Sequence, residues 1–339
     1  MGAGGNRGDG QGEFAIIARH FAPLAAGEPG ALGLLDDAAV LDIPPGQQVV
    51  VTTDCLVAGV HFLAEATAAE VAHRALAVNL SDLAAMGAAP RAYTLALALP
   101  ENLRKSEDWI AAFSETLNAV QGEFGIVLAG GDTVSTPGPL TVTVTALGTV
   151  AAGRALRRGG AAAGEGVFVS GTVGDAALGL RVLRGGLGDL AEDHRAFLAE
   201  RHRRPTPRLA LGRALVGLAT AAADVSDGLL ADLGHICEAS GLAARVEAAR
   251  VPLSPAARAA VDGDPALLAE VLTGGDDYEL VFTLPDGAVD EARRRAAGLG
   301  LAITAIGRTA PAGAAGAGVA AVDRDGAPLA LAATGYRHF

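Results

Sequence analysis

Residues 51–62 read VTTDCLVAGVHF, an apolar, β-branched run broken by two threonines and an aspartate before apolar residues return ahead of His61. Immediately upstream, LDIPPGQQVVVTTD (41–54) supplies a Pro-Gly turn and then valines, which predicts a strand ending at an acid-rich loop. Downstream, AAEVAHRALAVNLSDLAAMG (68–87) has helical periodicity, with Gly87 and Pro90 as stop signals. Inside that helix stand Asn79, Ser81 and Asp82, three turn-favouring residues that suit a helix interior only if their side chains have other work. Next come a predicted strand over 91–100, a helix over 106–124, and strands over 126–132 and 140–150. This alternation of strand and helix gives an α/β (α+β) plan.

Outside this half, residues 13–24 (EFAIIARHFAPL) predict a short amphipathic helix, and residues 1–11 read as a disordered tail. The glycine-rich GRALRRGGAAAGEG (153–166) is the candidate domain boundary. Beyond it a strand, a glycine loop and a helix are expected in VFVSGTVGDAALGL, then helices near 207–219, 228–240 and 287–299 and strands near 243–247 and 278–284. PAGAAGAGVAA (311–321) reads as a turn-rich section. A chain of 339 residues is long for one hydrophobic core. The expected division is therefore a tail at 1–11, one domain over 12–150 and another over 151–339.

Composition narrows the function. A formal charge of −12 repels a polyanionic duplex, so nucleic acid is not an expected partner. No run approaches the roughly 18 apolar residues of a membrane helix. Two cysteines, Cys55 and Cys237, are too few for a disulfide scaffold and lack metal spacing, which fits a reducing cytoplasm.

The interruption at 52–54 recurs in LLDDAAV (34–40), NLSDLAAMG (79–87), LAGGDTV (128–134), AADVSDGLL (222–230) and LTGGDDYELVF (272–282). Each sets an acid among hydrophobic or glycine residues. A single Asp, Ser or Thr at such a place is commonly a helix cap or turn residue. A whole set calls for more, because unpaired charge in apolar surroundings is costly. Asp37, Thr52, Thr53, Asp54, Asp82, Asp132, Asp224 and Asp227 are oxygen donors with no histidine or cysteine at zinc spacing, a set suited to Mg²⁺ and phosphate.

Other motifs are less specific. GTVGDAALGL (171–180) follows a strand and opens a helix, so its N–H groups are placed to cradle phosphate, but it lacks the Walker Gly-Lys-Ser/Thr and reads as an ordinary strand-to-helix turn. His61 alone fits a structural histidine. Arg154, Arg157 and Arg158 suit either a solvated loop or a clamp on an anion.

Taken in order, GEF (12–14), DDAAVL, TTDCLVAGVHF, ALAVNLSDLAAMGA, GGDT, GRALRRGG, SGTVGDAALGL, RPTPR, DVSDGLLADLGH, GGDDYEL and GYRHF resemble the thiamine-monophosphate kinase family, in the superfamily that includes aminoimidazole ribonucleotide synthetase. The resemblance implies a two-domain synthetase-like fold and a homodimer paired through the N-terminal domains. It implies ATP-dependent phosphorylation of thiamine monophosphate to thiamine diphosphate, with several Mg²⁺ ions at a cleft between the domains. By matching motif, the eight oxygen donors named above become metal residues, and Gly131, Asp132, Arg158 and Ser226 become ATP contacts. His61 and Asp276 would face the thiamine phosphate. The chain departs from the family pattern at Leu35, where glycine is usual, and at Asp276, where glutamate is usual. Ala333 stands near the place of an aromatic substrate contact. Two other readings share parts of this pattern. One is another ATP-dependent synthetase of the superfamily, which should differ around His61, GGDDYEL and GYRHF; the other is a silent nucleotide or thiamine phosphate binder, for which surplus buried carboxylates would be expensive.

Overall fold

A computed structural model describes residues 13–313, 316–331 and 335–336; the tail at 1–11 and Ala333 lie outside the described residues. The chain forms two compact units. One takes the chain up to Pro45, then Val51–Asn79 and Pro90–Leu147, and the other takes Gly46–Val50, Leu80–Ala89 and everything from Gly148 on.

The first unit opens with α1 (Glu13–Ile16), which passes into a π turn at Ile17–Phe21 and a 3-10 turn at Ala22–Ala25. A regular helix over 13–24 is not what forms, because Pro23 has no N–H to continue the α ladder. Strand β1 (Gln47–Val57) is followed by α2 (Ala68–Ala85), β2 (Ala89–Pro100), α3 (Glu101–Arg104), α4 (Glu107–Phe124), β3 (Val127–Thr136) and β4 (Thr141–Ala151). The strands make one sheet in the order β1-β4-β2-β3, with β2 and β3 parallel. Helix α4 starts where Ser106 accepts a hydrogen bond from the Trp109 N–H and stops at Gly125 in the left-handed region (φ 69°). It buries Ile110, Phe113, Leu117 and Val120, the 3.6-residue stripe that the sequence predicts. Gln121, also buried, accepts from the Tyr93 hydroxyl (2.8 Å) and the Leu128 N–H (3.1 Å) and donates to the Leu24 carbonyl (3.1 Å), so the core carries its polar groups paired.

The second unit is built on a six-stranded sheet ordered β10-β7-β9-β5-β8-β6. Its elements in chain order are β5 (Gly166–Ser170), α5 (Asp175–Leu183), α6 (Glu192–Arg203), α7 (Leu209–Leu215), β6 (Ala221–Asp224), α8 (Leu229–Ser240), β7 (Leu242–Glu247), α9 (Pro255–Gly263), α10 (Leu267–Thr273), β8 (Leu280–Leu284), α11 (Val289–Gly298), β9 (Ile303–Pro311) and β10 (Gly318–Val322). Every pairing is antiparallel except β10 with β7. Val167, Val169, Val281 and Ile306 from the strands join Leu229, Leu233 and Ile236 of α8 in one buried cluster. Elements that the sequence pattern does not announce are α6, α9, α10, β6 and β9, and the section read as turn-rich holds β10.

Candidate active site

The first unit brings together part of the expected acid set. Asp36 and Asp37, exposed on the loop before β1, line a cavity of about 130 Å³ with Leu95, Gly130, Gly131 and Asp132. The loop's shape is fixed from below. The Val40 N–H bonds to the Gly30 carbonyl (2.8 Å), the buried Glu28 accepts from the Gly30 N–H (2.9 Å), and Arg91 pairs with Glu28. Gly131 faces Leu95 across the parallel β2/β3 pair, just past a register shift at Tyr93/Thr94. A Cβ there would lie 1.9 Å from the Leu95 carbonyl oxygen, so close strand approach alone requires this glycine.

On β1 the pleat sorts the TTD triplet. Thr52 and Asp54 alternate with Thr53 by the two-residue period of a strand, which sets them on opposite faces. Thr53 donates to the Val144 carbonyl (3.1 Å) and accepts from the Thr145 hydroxyl (3.1 Å), bonding to β4 on its own side. His61, in the turn after β1, accepts the Val57 N–H on Nδ1 (3.0 Å), so its ring brackets the turn.

The second unit holds the other acids. Asp224, at the end of β6 and 3% exposed, accepts a 2.7 Å bond from the Ser81 hydroxyl, which explains one polar residue inside α2. Asn79 uses its amide on the Ala75 carbonyl one turn back (3.0 Å). Burial first, then the neighbouring charges of Asp82 and Asp232, push the Asp224 carboxyl well above its usual range, with Ser81 and Arg158 opposing. Such a concentration of buried oxygen charge is what a hard divalent cation offsets, so these residues fit Mg²⁺. Among the described residues, the acids and histidines close enough to share one ion are Asp227, Asp232 and His235, rather than Asp82, Asp224 and Asp227 together.

The DVSDG loop (224–228) is stitched in place. Asp232 Oδ2 accepts from the N–H groups of Ser226, Asp227 and Gly228 at 3.0, 3.0 and 3.1 Å. Burial and the Asp227 charge lift Asp232 to about 7, against the pull of those three donors. The Ser226 carbonyl accepts the Asp276 N–H (2.9 Å), and a Cβ at Gly275 would meet that same oxygen at 2.1 Å. Tyr336 donates its N–H to the Asp227 carbonyl (2.9 Å), which brings the C-terminal Gly-Tyr onto this loop. Asp276 itself is held at φ 73°, with the Tyr278 hydroxyl 3.3 Å and His202 Nδ1 3.6 Å from its carboxylate.

The AIR synthase related protein family matches in both parts, its N-terminal domain over residues 35–150 and its C-terminal domain over 162–319. The thiamine-monophosphate kinase of Salmonella typhimurium is 46% identical over 334 residues, 97% of this chain and 98% of the relative. The chain belongs to the thiamine-monophosphate kinase family. Among solved structures, the thiamine-monophosphate kinase from Stenotrophomonas maltophilia K279a aligns at a TM-score of 0.82 and 45% identity, covering 94% of this chain and 98% of that one. AaThiL complexed with AMPPCP and TMP aligns at 0.75 and 30% identity, covering 99% and 100%. The hydrogenase maturation protein HypE shares the fold, at a TM-score of 0.78 and 21% identity. The two-domain AIR synthase-like fold expected from the motifs is thus the fold observed.

Within this thiamine-monophosphate kinase family member, the structure adds residues that the sequence pattern passes over. In GGDDYEL the second aspartate, Asp277, is buried and accepts the N–H groups of Gly174 (2.6 Å) and Ala176 (3.0 Å). The glycine loop before α5 therefore spends those two donors on its own protein's carboxylate. Glu279, fully buried, receives Arg208 through two bonds (2.7 and 2.5 Å), Arg201 (3.1 Å) and the Ser170 hydroxyl (2.6 Å). Asp175 takes the hydroxyls of Thr172 and Ser254, both at 2.5 Å, and lies 3.8 Å from Arg201 Nε. RPTPR, GTVGD and GGDDYEL thus converge on one buried ionic network. A charge inside the apolar run YELVF is the signal that could have found Glu279, since a buried acid has to be paired.

Proposed function

We propose that the protein transfers the terminal phosphoryl group of ATP to thiamine monophosphate, giving thiamine diphosphate. The observation that carries this reading is the alignment, over 99% of the chain, with a kinase complexed with AMPPCP, an ATP analogue, and TMP. The acceptor is already a phosphate oxyanion, so the reaction needs no general base. The chief barrier is the mutual repulsion of two polyanions held in line.

We assign the oxygen donors to this task. Asp37, Thr52, Asp54 and Asp132 in the first unit, and Asp82, Asp224 and Asp227 in the second, would hold Mg²⁺, whereas Thr53, on the opposite face of β1 with its hydroxyl spent on β4, would join them only through its main-chain carbonyl. When bound, magnesium neutralises and orients phosphate oxygens. Support comes from the oxygen-only donor set and from the charge that Asp82 and Asp232 press on buried Asp224. Gly131, Asp132, Arg158 and Ser226 are assigned to ATP, and His61 and Asp276 to the thiamine phosphate. His61 would act through Nε2, because Nδ1 is engaged by Val57.

The domains are proposed as 12–150 and 151–339, paired through the N-terminal domain in a homodimer. Edge strand β1 presents Val49 and Val51 at 42% and 60% exposure, an apolar edge of the kind that a second chain covers. A cytoplasmic location fits two free cysteines, and among the described residues no helix is long and apolar enough to cross a membrane.

The direct test incubates purified protein with ATP, Mg²⁺ and thiamine monophosphate and follows thiamine diphosphate by chromatography. Product that depends on magnesium is expected. ATP binding without product would reassign the acceptor.

A further inference from the structure

The Asp227, Asp232 and His235 group contains two residues that the proposed kinase chemistry does not use. Asp232 and His235 lie three apart in α8 and so share a face of the helix. One ligand atom from each of the three residues lies within 4.8 Å of the others. Ligands about 2.1 Å from one ion stand roughly 3 to 4 Å apart, so modest side-chain rotation closes this group on a cation.

A second observation points the same way. Asp232 is 1% exposed, and its Oδ2 is committed to three backbone N–H groups. Its other oxygen, Oδ1, is buried and has no hydrogen-bond partner among the described residues. With Oδ2 occupied, Oδ1 is the oxygen of Asp232 left to meet a ligand. A buried carboxylate oxygen without a donor is costly, and a neighbouring carboxylate makes it more so. A cation removes both costs. His235 is partly exposed and 3.5 Å from Glu238, so its ring is reachable from solvent.

We infer that Asp227, Asp232 and His235 form a site for a first-row divalent cation, distinct in ligand chemistry from the all-oxygen magnesium set. An imidazole beside two carboxylates favours Mn²⁺, Co²⁺ or Zn²⁺ over Mg²⁺. A bound ion would tie the DVSDG loop to the second turn of α8, fixing the side chain of Asp227 as Asp232 already fixes its backbone. Asp227 is common to both assignments, while Asp232 and His235 belong to this one alone.

Titration of the full-length protein with Mn²⁺, without nucleotide, separates the two. Electron spin echo spectra of the bound Mn²⁺ should show an imidazole nitrogen coupling that disappears in His235→Ala, and the affinity of one Mn²⁺ should fall by at least about tenfold. Bound Mn²⁺ without nitrogen coupling, or equal titration of wild type and His235→Ala, would overturn the assignment. Because the readout is metal binding rather than product, it stands or falls independently of the kinase assay.

Discussion

Replacing Arg208 with methionine tests how the second unit is held together. Arg208 gives Glu279 two of its four hydrogen bonds, and Glu279 has no exposure to solvent. The substitution keeps the apolar stem and removes the guanidinium. It leaves a buried carboxylate with Arg201 and the Ser170 hydroxyl as its remaining donors. Breaking one side of a buried pair costs about 3–5 kcal/mol, and the retained donors place this case near about 3 kcal/mol. For a unit of this size that corresponds to a fall in Tm of about 6–12 °C. Urea unfolding followed by circular dichroism reads the loss directly. Arg208→Lys keeps the charge but not the two-pronged fit and should lose about half as much. Adding Glu279→Gln to Arg208→Met removes the stranded charge and should recover much of the stability. A loss below about 1 kcal/mol for Arg208→Met, or no recovery in the double variant, would refute the view that this network braces the fold.

Other expectations follow from the same geometry. Asp54→Asn should remove most turnover while leaving the circular dichroism spectrum unchanged; wild-type activity in the purified variant would withdraw Asp54 from the metal set. Gly131→Ala forces a Cβ against the Leu95 carbonyl and should destabilise the first unit by about 2–4 kcal/mol, whereas Gly130→Ala, with open space at its Cβ, should unfold like wild type. Burial pushes Asp277 up to about 8, while an unfolded aspartate titrates near 4. Between those values the folded state keeps a proton that the unfolded state has lost, so stability should fall as pH rises from about 5 to 8, by at most about 1.4 kcal/mol per unit from this group. Urea midpoints at pH 5.5, 6.5 and 7.5 measure the slope, which Asp277→Asn should flatten. Val51→Glu should shift light-scattering mass from dimer to monomer, and an unchanged mass would remove β1 from the interface.

The long elements were legible because their patterns are local. Helix α4 has both a Ser106 cap and a Gly125 stop, and β4 alternates buried Val142, Val144 and Ala146 with half-buried threonines. Strand β6 is Ala-Ala-Ala-Asp and has no β-forming composition; it is a strand because it pairs with β8. In β9 the alternation breaks at Gly307, where a Cβ would lie 2.0 Å from the Arg245 carbonyl oxygen of β7. At the candidate site, single acids are easy to see but their division of labour is not. Asp276 and Asp277 are adjacent in sequence, yet one is half-buried at a strained turn and the other clamps a distant loop. Thr53 and Asp54 likewise part company because strand neighbours face opposite ways.

The convergence of RPTPR, GTVGD and GGDDYEL on one buried network bears on how relatives of this chain are recognised. Asp175, Arg201, Arg208, Asp277 and Glu279 brace the second unit through bonds to one another and to its loops, a duty separate from any reaction. A chain that lost Asp54 while keeping those five would still match the family along most of its length and, on the proposed metal assignment, would be inert. Distinguishing working kinases from such pseudoenzymes therefore depends on the acids assigned to the metal rather than on the bracing network, and Asp54 is the first position to inspect.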